Sequence, residues 1–309
     1  MKDLLLVLVV VLLVATASVF LGAPLVGAEG QFVLWQLRIP RALAGLLVGA
    51  TLGLVGAAFQ LLFHNPLAEP STVGTTAGAA LGALGALVFD LGGAWQLSAV
   101  TLFAFAGALA ASLVVALTAS SGRARVNDVL LAGIAVTLAA GAVSQAVHSI
   151  AEMPALFAAA MWGLGQLPQV GYERVLVLAP FVLGSSVVLL FRARALAALA
   201  LSEDWAATQG VPVRRVRLEV LTAGSLGVAA CVALCGPITF VGLLVPHLVR
   251  RLLNPPARQL LGLSWLAGAA FLVVCDGIAR VLVPGRELPV GVLTAALGAP
   301  ALFALVLRR

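Results

Sequence analysis

Three features of this sequence predict an all-α polytopic membrane protein, a bundle of about ten transmembrane helices with both termini cytoplasmic. Apolar runs long enough to cross a ~30 Å hydrocarbon core recur from one end of the chain to the other. Only 10% of the 309 residues are charged, against 62% that are hydrophobic, whereas a soluble domain carries roughly a quarter charged residues. The arginines and the helix breakers fall mainly between the apolar runs rather than within them. Mean hydropathy is +1.14. One transmembrane domain over residues 1–309 accounts for the whole chain, with its longest polar connection at about 192–217.

The first span, Leu4–Gly22, follows Lys2 and Asp3. At 19 residues it is long enough to cross a bilayer, and signal-peptide cores run only ~7–15 residues, so it is taken as a retained helix. A short loop from about Ala23 to Leu37 leads to the second span, Pro40–Phe63. The chain then breaks at His64–Pro70 and resumes as a third span, Val73–Phe89. Gly45, Gly49 and Gly53 repeat every four residues in the second span, as Gly74, Gly78 and Gly82 do in the third. Such stripes let helices approach closely where lipid offers no hydrophobic drive to association. Trp95–Ala119, Val129–Ile150, Val175–Phe191, Leu218–Cys235, Ile238–Leu253, Leu260–Val283 and Pro289–Leu307 complete the set. The third and eighth spans are short, which favours tilt, partial crossing or burial among neighbours.

Orientation follows from the basic residues. With the N-terminus inside, Lys2 and most of the arginines lie on the cytoplasmic side, leaving Arg38, Arg41, Arg174, Arg280 and Arg286 outside. The positive-inside rule favours that arrangement, and the basic residues form no stripe of the kind that binds nucleic acid.

Two irregular segments interrupt the spans. After the fifth, Pro154 starts a short helix closed by Gly163, Gly165 and Pro168. It either dips back beside a water-filled cavity or lies at the interface, anchored by Trp162 and Tyr172. Between Arg192 and Arg217, Ser202 is placed to cap a helix with Glu203 and Asp204 in its first turn, and Gly210 to end it ahead of Pro212. This short cytoplasmic helix either presents Trp205 and Ala207 to a partner or only touches headgroups.

Several chemistries are missing. Lys2 is the only lysine, so no GxxxxGK[S/T] phosphate loop exists, and any ATP that drives the protein is hydrolysed by another chain. There is no GxSxG and no HExxH, while His64, His148 and His247 are scattered over separate elements. Cys231, Cys235 and Cys275 lie in apolar runs and are read as packing residues. Asp276 is the one strong candidate for an acid inside a span, and Arg280 four residues later offers an internal ion pair. Ser144 and His148 in the fifth span either line a polar path or make a helix–helix contact. Thr75 and Thr76 at the start of the third span, with Thr72, either form a polar substrate shell or bond to local carbonyls.

Taken together, these residues resemble the FecCD family of ABC-importer permeases, which serve iron–siderophore, haem and vitamin B12 uptake. The resemblance is carried by WQLRIPRALAGLLVGA at Trp35–Ala50, HNPLAEP at His64–Pro70, LLAG at Leu130–Gly133, GPITFVGLLVPHLVRR at Gly236–Arg251, DGIAR at Asp276–Arg280 and ELPVGVLTAALGAP at Glu287–Pro300. It implies a ten-helix permease that pairs with a second permease subunit, the same chain or a paralogue, around a central path. It also implies two ATPase subunits that bind ATP and Mg, an extracytoplasmic substrate-binding protein, and a place in the bacterial inner membrane. No cofactor is implied for this chain. Binding-protein docking would fall to Arg38, Arg41 and Arg280, and ATPase coupling to Ser202, Glu203, Asp204, Trp205, Ala206, Ala207 and Gly210. The cytoplasmic gate would lie around Val126, Asn127 and Asp128. Ferric siderophore is the favoured cargo on family frequency, with haem and vitamin B12 as alternatives. An ion-coupled secondary transporter working alone is the alternative from another class.

Overall fold

The computed structural model describes residues 2–21, 27–91, 96–120, 126–168, 171–283 and 286–307. Among them the secondary structure is helical, with a single isolated bridge between Val283 and Arg286. Each of the ten predicted runs is occupied by a helix: α1 (Lys2–Phe20), α3 (Ile39–Leu62), α4 (Thr75–Val88), α5 (Gln96–Ser120), α6 (Val126–Ile150), α8 (Glu173–Phe191), α11 (Val213–Cys235), α12 (Val241–Leu253), α13 (Ala257–Val281) and α14 (Val290–Leu307). Four short helices lie between them: α2 (Gly27–Phe32), α7 (Met153–Gly163), α9 (Ala193–Leu199) and α10 (Glu203–Thr208). Among the described residues seven helical stretches are long and apolar enough to cross a membrane. The short members include α4, with 14 residues, and α12, with 13.

The segment before α3 differs from the expected loop. Helix runs without a break from Gly27 to Leu62, through a π-helical turn at Val33–Arg38. Pro40 explains the turn: it has no N–H to give the Gln36 carbonyl, and its ring crowds that carbonyl. A widened turn relieves the crowding, and the Gln36 oxygen instead accepts from the Gly171 N–H at 2.8 Å. A second addition is α9, which fills the start of the 192–217 connection with the strong helix formers of Ala193–Leu199.

Helix α3 is the axis of the fold, and nearly all of its residues from Ala44 to Leu62 are buried. Three of its glycines meet backbone first. A Cβ added at Gly49 would land on the Gly268 carbonyl oxygen, one at Gly53 on that of Ser264, and one at Gly56 on that of Gly242. The first two lie on α13 and the third on α12. Gly45, one turn earlier, faces Leu167 and Val273. The pair α4 and α5 is built the same way, with Gly78 against Gly107 and Gly82 against Phe103. Gly74 does not belong to that stripe. It stands before α4 at φ +77°, where a 3₁₀ turn over Pro70–Val73 hands over to the helix. Only a residue free to take the left-handed conformation fits there.

Backbone bonds tie three elements together. The Gln166 N–H donates to the Cys235 carbonyl at 2.6 Å, and Gly291 N–H to the Gly165 carbonyl at 3.1 Å. These bonds bring the end of α7, the end of α11 and the start of α14 together. By contrast α1 and α6 are peripheral, and most of their apolar side chains remain exposed.

Gly56→Ala should test the backbone contact. The added methyl has no space unless α12 shifts, a cost of about 1–3 kcal/mol for overpacking. The thermal midpoint of the detergent-purified protein should fall clearly, while Gly85→Ala, whose methyl would meet nothing within 4 Å, should leave it unchanged or slightly raised.

Candidate functional site

Two polar clusters stand at opposite ends of the bundle. The first gathers at the end that the charge distribution assigns to the outside. Arg38 closes the π-helical turn, Arg41 sits in the first turn of α3, and Asp276 and Arg280 are one turn apart near the end of α13. Arg41 Nε and Nη2 approach Asp276 Oδ1 at 2.9 and 2.8 Å, and its Nη1 reaches Glu287 Oε2 at 2.5 Å. Arg280 Nε lies 3.2 Å from the other Asp276 oxygen. Two further guanidinium donors turn to α1: Arg38 Nη1 donates to the Val19 carbonyl at 3.1 Å, and Arg280 Nη2 to the Ser18 carbonyl at 2.9 Å. Those carbonyls belong to the last turn of α1, which has no helical partner for them, and cations are favoured there.

The ion pair expected between Asp276 and Arg280 is therefore present, but it is part of a larger clasp. Arg38 and Arg41 are buried and Arg280 nearly so, with Asp276 beneath them. Glu287 is the exception, a carboxylate whose side chain is 50% exposed. Its role was missed in the sequence, because nothing local links it to an arginine 246 positions away.

The second cluster lies at the opposite end. Ser202 takes an extended conformation, and its Oγ accepts from the Trp205 N–H at 3.0 Å, capping α10. Gly210, at φ +77°, ends the segment as Val211 N–H returns to the Ala206 carbonyl at 3.0 Å. Ala206 is fully buried, whereas Asp204, Trp205 and Ala207 are exposed on one side. Glu203 pairs with the buried Arg217 of α11, and Glu219 of α11 pairs with both Arg192 and Arg215. His64 adds a further tie: its Nε2 lies 2.6 Å from the Leu199 carbonyl, which can only accept. The short helix is thus fixed to α11 and, through α9, to the turn after α3.

The remaining candidates do not converge. Val126 opens α6, with Asn127 and Asp128 exposed beside it. Ser144 is half-buried and His148 exposed toward the far end of the same helix. Thr75 is fully buried, its hydroxyl 3.0 Å from that of Ser112 on α5, so it bonds across helices rather than to its own turn. Thr76 faces a small cavity that also includes Glu69, Ser71 and Thr239. Thr72 bonds the Glu69 carbonyl at 2.7 Å.

This arrangement of helices has a solved counterpart. A structure described as an inward-facing conformation of a metal-chelate type ABC transporter matches with a TM-score of 0.90 and 29% identity, over 100% of this chain and 99% of that one. The protein is a membrane-spanning transport permease of the ABC-importer type. More narrowly, the chain belongs to the FecCD transport family, whose model matches residues 4–308. Among its relatives, the hemin transport system permease HmuU of Yersinia pestis is 34% identical over 91% of this chain and 85% of its own length. The cobalamin import permease BtuC of Halobacterium salinarum is 39% identical over 90% and 75%. The ferric enterobactin permease FepD of Escherichia coli is 39% identical over 88% and 81%.

Asp276→Asn should expose the energetic weight of the clasp. It leaves two buried guanidiniums facing a neutral amide, and breaking a buried pair from one side typically costs about 3–5 kcal/mol. Thermal unfolding should show a large drop, reduced in the double variant Asp276→Asn/Arg280→Met.

Proposed function

We propose that this chain is the membrane subunit of a bacterial inner-membrane importer for a metal chelate, with ferric siderophore as the favoured cargo. The observation that carries the reading is the match to permeases named for hemin, cobalamin and ferric enterobactin, over about nine-tenths of this chain in each case. The three named cargoes are bulky chelates, and a chelate can be selected largely by the protein that delivers it.

In this reading the chain performs no covalent chemistry. Its sole lysine, Lys2, leaves it without a phosphate-binding loop, so ATP and Mg are bound by two partner ATPase subunits. Trp205 and Ala207, exposed on α10, meet the ATPase, and Ala206 anchors that helix to the bundle. Force on α10 passes to α11 through Glu203–Arg217 and to the turn after α3 through His64. A second permease subunit covers the apolar length of α6, where Leu131, Ile134 and Leu138 stand exposed, and the path runs between the two copies. Asn127 and Asp128 lie at its cytoplasmic mouth. Arg38, Arg41 and Arg280 receive carboxylates of the extracytoplasmic binding protein. Transport then follows from the unequal affinity of two conformations for the partners. The likeness to an inward-facing transporter supports reading the present arrangement as the inward-open one.

Reconstituted with its ATPase and binding protein, the permease should take up labelled ferric siderophore only when ATP is present inside. Uptake by this chain alone, driven by a proton gradient, would overturn the reading; a preference for haem or cobalamin would change the cargo only. A cysteine in place of Ala207 should crosslink to the ATPase, and a cysteine replacing the buried Ala206 should not.

A further inference from the structure

Arginines that receive a partner's carboxylate need a free valence, yet here all three are buried and bonded. Arg41 has every donor nitrogen of its guanidinium engaged, two on Asp276 and one on Glu287. The two carboxylates are not equivalent. Asp276 is buried on α13, where it bridges Arg41 and Arg280. Glu287 lies in the non-helical connection between α13 and α14, half its side chain in solvent. Its neighbour Leu288 is pinned by an N–H bond to the Ala279 carbonyl at 3.2 Å. The backbone is therefore held, while the half-exposed Glu287 side chain has solvent to swing into once its contact with Arg41 is released.

We infer that Glu287 is an internal stand-in for a partner carboxylate: it occupies Arg41 Nη1 until an acidic side chain of the binding protein replaces it. This rests on the docking role proposed above for Arg38, Arg41 and Arg280. The exchange costs little in charge terms, because one carboxylate–guanidinium contact replaces another. Arg41 keeps its two contacts to Asp276 throughout, so it is aimed before the partner arrives and needs no rearrangement. The stand-in also spares the unoccupied permease an unpaired, nearly buried cation, which is costly to hold. Glu287 thus competes with the partner and sets a ceiling on its affinity.

The test is binding-protein affinity for the whole importer, ATPase included, in nanodiscs. Glu287→Gln removes the competing charge and keeps the side-chain length. Affinity should rise by about two- to fivefold, the worth of a contact with one half-exposed partner. The gain should vanish near ~1 M salt, where charges are screened within ~3 Å, and Glu287→Asp, which keeps the charge, should behave like the natural protein. Unchanged or weaker binding by Glu287→Gln, in a protein whose thermal midpoint is unaltered, would overturn the stand-in. The double variant Arg41→Gln/Asp276→Asn removes both charges of the buried pair at once and separates the two ideas. If it weakens docking while Glu287→Gln brings no gain, the arginines dock and the stand-in fails. If it leaves docking untouched, the docking role of Arg41 fails, and the stand-in fails with it.

Discussion

Lipid gives apolar helices no reason to prefer one another, so what holds this bundle together must be contact at close range. The structure meets that constraint with bare backbone. Gly49 and Gly53 of α3 lie against Gly268 and Ser264 of α13, and Gly56 lies against Gly242 of α12. At these points no side chain intervenes, and the dispersion contacts of two helices are multiplied along a seam. Gly78, Gly82 and Gly107 repeat the solution between α4 and α5. The first polar end, with Arg41 and Asp276, sits at the end of the α3–α13 seam.

The polar ends are then placed by rigid neighbours. Arg41 and Asp276 face each other because the α3–α13 seam fixes how the two helices cross, and Arg280 follows one turn beyond Asp276. At the opposite end α10 is too short to stand alone. It is made stable by a serine cap, a buried Ala206 and an ion pair to Arg217. An interior contact and a charged rim are thus parts of one construction: the first supplies distance and angle, the second supplies specificity.

Much of this was legible in the residues. Runs of apolar residues between breakers located ten helices, and the spacing Gly45, Gly49, Gly53 identified the packed side of α3 without naming what it packs on. The cap at Ser202 was legible because its chemistry is local, three residues from donor to acceptor. What escaped is what depends on distant partners. Glu287 carries no local sign of its contact with Arg41, and Arg38 and Arg280 bond to the end of α1, far from Arg280 in sequence. The helical stretch before α3 was hidden by Pro40, which usually signals a start; here its unbonded neighbour Gln36 finds a donor in Gly171. Gly74 was counted with the helical glycines for the same kind of reason, since spacing alone does not distinguish a helical glycine from one that turns the chain.

The contacts at the end of α1 bear on how the protein is made. This helix is made before either of the arginines that close it, and most of its surface is exposed. One arginine that closes its final turn, Arg38, follows within 20 residues, but the other, Arg280, lies 262 positions after the carbonyl it caps. The seam of α1 against α13 likewise awaits nearly the whole of synthesis. Helix α1 is therefore only partly fastened until α13 is made, and a chain truncated before α13 would keep the cap from Arg38 but lose both Arg280 and the seam.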